Sequence, residues 1–144
     1  MDSVTITIPG AAMGKGRPRI GKTRSGQAIA FTPKPTKTRE GVVASLAMDA
    51  MGSRDPFSGP VEMVLSAVLP IPKSWPKKRQ AAALSGEERP TTKPDLDNIA
   101  KLIWDGLNNI VYSDDKQIVR LTADKRYGVN PVTVVTVREI ARAP

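Results

Sequence analysis

The sequence predicts an α+β fold: a single domain spanning residues 1–144, with a mixed β-sheet covered by helices. Three observations lead there. Residues near the start alternate apolar and polar with the period of a half-buried strand, Val4, Ile6 and Ile8 against Thr5 and Thr7. Two stretches, 38–51 and 98–108, space their apolar residues as helices do. Three further stretches, 61–69, 118–127 and 132–140, read as strands. At 144 residues with 40% hydrophobic content the chain suits one modest core.

Taken in order, the first strand stops at Pro9-Gly10. From Met13 to Glu40 there follow eight cationic residues (Lys15, Arg17, Arg19, Lys22, Arg24, Lys34, Lys37, Arg39) against one acid, with Gly and Pro interspersed. Such a stretch makes a basic loop or hairpin, and Ala28 to Phe31 is strand-like. Inside it, GRPRIGKT from Gly16 to Thr23 satisfies the G-x-x-x-x-G-K-[ST] pattern of a phosphate-cradling loop. Its context is wrong, because that loop follows a strand directly and opens a helix.

Thr38 to Met51 carries Val42, Val43, Leu46, Ala47, Ala50 and Met51 on a helical stripe ended by Gly52. Val61 to Leu69 is a near-continuous apolar strand between Pro60 and Pro70. Pro72 to Lys93 is basic again, with a short helix expected over Pro76 to Leu84 and Trp75 either packed on the core or presented to a base. Near the end, Gly128 to Pro131 reads as a turn joining Ile118–Tyr127 and Val132–Ile140 into a hairpin. Arg120, Thr122, Asp124 and Arg126 would form its more polar face, and Arg142 onward a frayed tail.

Charge narrows the chemistry. A net +8 with no cysteine and no histidine excludes disulfides, thiolate chemistry, the usual zinc sites and histidine acid–base catalysis. It suits a polyanionic partner, nucleic acid first. No apolar run approaches a membrane span and the first residues alternate like a strand, so a cytoplasmic protein with no membrane partner is expected.

Against this background, Asp95, Asp97, Asp105, Asp114 and Asp115 stand with one base, Lys101, in a segment of formal charge −4, leaving +12 elsewhere. Crowded carboxylates raise one another's pKa unless a cation sits among them, and hard divalent ions favour all-oxygen sites. If Leu96 is extended after Pro94, Asp95 and Asp97 project to one side and share a metal. The helix Asn98–Asn108 then sets Lys101 one turn after Asp97, leaning back toward the acids. A purely structural alternative makes Asp95 or Asp97 an N-cap and Asp97–Lys101 an ion pair, which explains one Asp rather than the set. An EF-hand is excluded, since it would need an oxygen ligand at Ile99, Gly at Ala100 and Glu at Gly106. Pro94-Asp95 with Asp114-x-Lys116 also imitates the P-D…(D/E)-x-K pattern of metal-dependent nucleases.

Lys93-Pro94-Asp95-Leu96-Asp97-Asn98, Lys101, and Asp114-Asp115 before a strand resemble the RusA family of Holliday junction resolvases, typically phage- or prophage-borne. Gly14-Lys15-Gly16-Arg17-Pro18-Arg19 is similar to the basic segment after that family's first strand. The resemblance implies a homodimeric, Mg²⁺-dependent endonuclease that cuts four-way DNA junctions by paired nicks in recombination and repair. It places the essential carboxylates on Asp95, Asp97 and Asp115, with Asp114 adjacent as the other candidate for the third ligand, and the catalytic-region lysine on Lys101. Lys15, Arg17, Arg19 and Lys93 are the expected DNA contacts. The rival from another class is a non-catalytic basic DNA-binding or architectural protein, in which the acids only cap helices and solubilise loops.

Overall fold

In the computed structural model, which describes residues 2–16 and 19–141, the chain is a mixed four-stranded sheet with three α-helices and a separate two-stranded hairpin. Arg17 and the tail from Arg142 lie outside the described residues, and of Arg19 only the strand backbone is described. The strands are β1 (Ser3–Pro9), β2 (Arg19–Lys22), β3 (Ala28–Phe31), β4 (Val61–Pro70), β5 (Ile118–Gly128) and β6 (Val132–Glu139). The helices are α1 (Lys34–Met51), α2 (Lys77–Ser85) and α3 (Leu96–Gly106), with a short 3-10 turn at Asp115–Gln117.

The sheet order is β1-β6-β4-β5, with β4 antiparallel to β6 and parallel to β5. This corrects the expected terminal hairpin. β5 and β6 do not pair, because β4 lies between them. Val61, Met63, Leu65, Ala67, Val68 and Leu69 of β4 are all buried, and a strand apolar along its length is most stable with neighbours on both edges. The link is long enough: two strand spacings are about 9.6 Å, whereas the four Cα steps from Gly128 to Val132 reach about 14 Å. The polar face of β5 is as expected, with Arg120, Thr122, Asp124 and Arg126 all exposed.

β2 and β3 pair as an antiparallel hairpin, Arg19 opposite Phe31 and Lys22 opposite Ala28. Lys22 ends a strand rather than opening a helix, so the GRPRIGKT motif does not form a phosphate-cradling loop.

One face of the sheet is covered. Val4, Ile6 and Ile8 of β1, Met63 and Leu65 of β4, and Val135 and Val137 of β6 form one core with Val43 and Ala47 of α1 and Ile99, Leu102 and Ile103 of α3. Helix α1 starts a turn earlier than its apolar stripe, since Pro35 is tolerated in a first turn and Thr36 is buried there. The helices α1 and α3 approach closely at Gly106, where a Cβ would fall 2.9 Å from Val43 Cγ1 and 3.2 Å from the Glu40 carbonyl oxygen. That contact fixes the depth at which α3, and every acid on it, sits against the sheet.

Leu102 is fully buried between α3 and the sheet. Leu102→Ala should therefore cost about 2–5 kcal/mol of stability, read as a lower urea midpoint at unchanged slope.

Candidate metal and nucleic-acid site

Helix α3 is amphipathic: Ile99, Ala100, Leu102 and Ile103 are buried, and Asp97, Lys101 and Asp105 recur every four residues on the opposite side. It begins earlier than the apolar stripe indicates. Leu96 is helical and Asp95 is the extended N-cap residue, so the pair does not project from an extended strand. The helix start, where unpaired N–H groups favour negative charge, presents them instead. Asp95 makes no side-chain capping hydrogen bond, which leaves its carboxylate free of the role the structural alternative gave it. Among the described residues Asp97 and Lys101 join no ion pair.

Asp95, Asp97, Asn98, Lys101, Trp104 and Asp105 line one open cavity of about 560 Å³ with Lys15 and Gly16. The opposite wall is the segment 14–16, strapped to the helices by backbone contacts. Lys15 N–H donates to the Asn98 carbonyl at 3.0 Å, and Gly16 N–H donates to the Thr36 hydroxyl at 2.9 Å. The fit is close at both glycines: a Cβ at Gly16 would lie 2.7 Å from Thr36 Oγ1 and force a shift, and one at Gly14 would press on Asn98 Cβ at 3.1 Å.

Lys15, expected as a DNA contact, has its ammonium on the Asp105 carboxylate and 3.4 Å from Glu40 Oε1. Partial burial pulls its pKa down, but the hydrogen bond to Asp105 and the charges of Asp105 and Glu40 outweigh this and leave it raised. Lys15 is thus a fixed cation inside the acidic cavity.

The two neighbouring aspartates separate by role. Asp114 caps the 3-10 turn: its Oδ1 accepts from Lys116 N–H at 2.8 Å, while the Gln117 side chain accepts from Asp114 N–H at 3.1 Å in a reciprocal box. Gln117 also donates to the Phe57 and Gly59 carbonyls at 2.8 and 2.9 Å, anchoring the turn on the core. Asp115 instead meets Asp105. Burial first, then hydrogen bonding with Asp105 and the charges of Asp114 and Asp105, push its pKa up against an opposing hydrogen bond from Asn108. Beneath them Tyr112 is fully buried and donates to the Trp104 carbonyl at 2.6 Å. Burial and the same three acids raise its pKa, so it stays a neutral phenol.

Asp105 is the residue that sequence reading placed among the acids but gave no role. Its signal was the spacing Asp97, Lys101, Asp105, which puts all three on one helix face. Asp115 opens on an adjoining cavity that shares Trp104 with the first. Among the described residues no three carboxylates meet at metal-ligand spacing. The donors nevertheless suit a hard cation: the carboxylates of Asp95 and Asp97 stand uncommitted at a helix N-terminus, and Asp115 has its pKa raised by burial and then by its carboxyl neighbours. Lys93 is exposed on the loop before Asp95. That loop is held by Lys125, whose ammonium donates to the Thr92 and Pro94 carbonyls at 2.7 and 3.1 Å.

Comparison with known proteins now settles the lineage. The family model of Endodeoxyribonuclease RusA matches residues 9–138. The chain belongs to the RusA endodeoxyribonuclease family. It is also 37% identical over 143 residues to the Bacillus subtilis (strain 168) protein named "Uncharacterized protein YqaN", covering 98% of this chain and 99% of that one. The RusA match takes in the strap at 14–16, helix α3 and the 3-10 turn, so every part of the acidic site lies within the family domain.

Because Asp114 caps and Asp115 is crowded, their substitutions should separate. In EDTA, Asp114→Ala is expected to lower stability by about 0.5–2 kcal/mol. Asp115→Asn, which relieves carboxylate repulsion, should leave stability unchanged or raise it. Urea denaturation of both variants checks the assignment.

Proposed function

We propose that the protein is a Mg²⁺-dependent, structure-selective endodeoxyribonuclease that resolves four-way DNA junctions by paired nicks, acting as a homodimer in recombination and repair. The observation that carries this reading is one cavity in which Asp95, Asp97 and Asp105 face Lys15 and Lys101, in a strongly basic chain of the RusA family. A phage or prophage setting and a cytoplasmic location go with it. Among the described residues no helix is long and apolar enough to cross a membrane.

Asp95, Asp97 and Asp115 are the residues that would hold the ion, with Asp114 left to its cap. Bound Mg²⁺ would supply Lewis acidity toward the phosphodiester and lower the pKa of water. Lys15 pairs with Asp105, which in turn meets Asp115. Lys101, exposed in the cavity lining and in no ion pair among the described residues, would meet the phosphate as charge builds on it. The surrounding positive charge, with Arg17, Arg19 and Lys93 as contacts, must hold the DNA backbone, because the acids alone repel it. Paired nicks on symmetric strands need two such sites, which a twofold dimer provides.

Asp97→Asn separates chemistry from binding, since it removes a ligand's charge and keeps its shape. In Mg²⁺ it should abolish junction cleavage. In EDTA it should bind the junction as tightly as wild type or tighter, through reduced repulsion of phosphate. Gel assays on junction, flap and linear duplex check both halves. A folded variant that nicks at the wild-type rate would remove the metal assignment, and wild-type protein that binds junctions but never cuts them would favour an architectural role.

A further inference from the structure

The strip Lys93-Pro94-Asp95 that borders the acidic cavity also borders a second pocket, of about 310 Å³, that the proposed chemistry does not use. Trp75, Tyr127, Leu69, Pro72, Pro94 and Lys93 are among its walls. Asp95 lines one cavity while the two residues before it line the other, so a ligand group in the pocket sits next to whatever the carboxylates hold.

The aromatic wall is built to stay in place. Trp75 and Tyr127 meet edge to face with centroids 5.3 Å apart and planes at 73°. The Arg79 guanidinium stacks 3.6 Å from the Trp75 ring centroid, and Glu88 pins Arg79 at 3.0 Å. Gln80 donates to the Trp75 carbonyl at 2.8 Å. A tryptophan that served only the core would be covered, yet Trp75 is half-buried and borders open space. Lys93 is the charged residue of the lining, and the segment from Pro72 to Lys93 that carries Trp75 is cationic, with Lys73, Lys77, Lys78, Arg89 and Lys93 against Glu87 once Arg79 and Glu88 pair.

We propose that this pocket receives one unstacked nucleobase of the DNA substrate, from a nucleotide adjacent to the phosphate held at the carboxylates, with Trp75 and Tyr127 as the stacking surface. A flat aromatic heterocycle fits apolar walls of Trp, Tyr and Pro, and Lys93 in the lining suits its phosphate. Base–aromatic stacking tolerates any base, whereas unstacking is easiest where pairing is already broken, as at a branch point. The pocket thereby favours branched over linear DNA at the point of cleavage. The proposal rests on the chain acting on DNA, and its test separates the two.

In a four-way junction, each nucleotide spanning the branch point is replaced in turn by an abasic one, and binding is measured with uncleaving Asp97→Asn protein. One position should lose about 5- to 150-fold in affinity, and that loss should vanish when Trp75→Leu is added. In parallel, 5-iodouracil at the same positions is photo-crosslinked to protein unaltered in the pocket and the adduct mapped by mass spectrometry, which needs no folded Trp75 variant. The adduct should fall on Trp75 or Tyr127. Wild-type protein that cuts junctions while no position shows base dependence, or whose adducts map elsewhere, overturns the pocket and leaves the nuclease. Adducts on Trp75 or Tyr127 with no cleavage in Mg²⁺ support the pocket and overturn the nuclease. Failure to bind DNA overturns both.

Discussion

The ammonium of Lys15 holds the candidate site together. It bridges Asp105 on α3 and Glu40 on α1, and its own backbone is tied to Asn98 at the start of α3. Three segments distant in sequence meet at that one charge. Without it, Asp105 would face Asp115 with only the Asn108 hydrogen bond to offset the repulsion, in a place where both are partly shielded from water. The close approach of α1 and α3 at Gly106 brings Glu40 and Asp105 within reach of the same cation.

Around that charge the acids divide the labour by environment rather than by residue type. Asp114 is spent on capping the 3-10 turn, and Gln117 anchors the turn to the core. Asp115, one residue on, is left facing another carboxyl group. Asp95 occupies a capping position without capping, and Asp97 lies in the first turn of α3, where the helix field favours its charge. A chain selected for stability alone would not gather unpaired and mutually repelling carboxylates on two adjoining cavities. A divalent cation, as proposed, would offset that repulsion and link the packing of α3 to the chemistry proposed for it.

Much of this was legible in the sequence, wherever a local pattern decides the outcome. Alternation placed β1, apolar continuity placed β4, and the 3.6-residue stripe placed α3, each within a few residues. The charge island pointed to the cavity because like charges clustered in a basic chain need a reason. What failed was nonlocal. A three-residue link between two strands reads as a hairpin, and nothing between Gly128 and Val132 records that β4 inserts there. Lys15 read as a DNA contact, with no sign of its ion pairs, because its partners, Glu40 and Asp105, lie far along the chain. Asp95 and Asp97 read as neighbours on an extended segment, since the bias that Pro94 imposes on Lys93 does not extend to Leu96.

The central claim is that these carboxylates form a site for a divalent cation, and ion binding tests it without DNA. Thermal and urea unfolding of the intact protein, followed as Mg²⁺ is added to metal-free buffer, reads binding as stabilisation. At about 100 times the dissociation constant the wild-type chain should gain about 2.7 kcal/mol. Asp95→Asn combined with Asp97→Asn should gain almost nothing over the same range. Equal responses from the two proteins, or no stabilisation of either, would contradict the assignment of Asp95 and Asp97 as metal ligands.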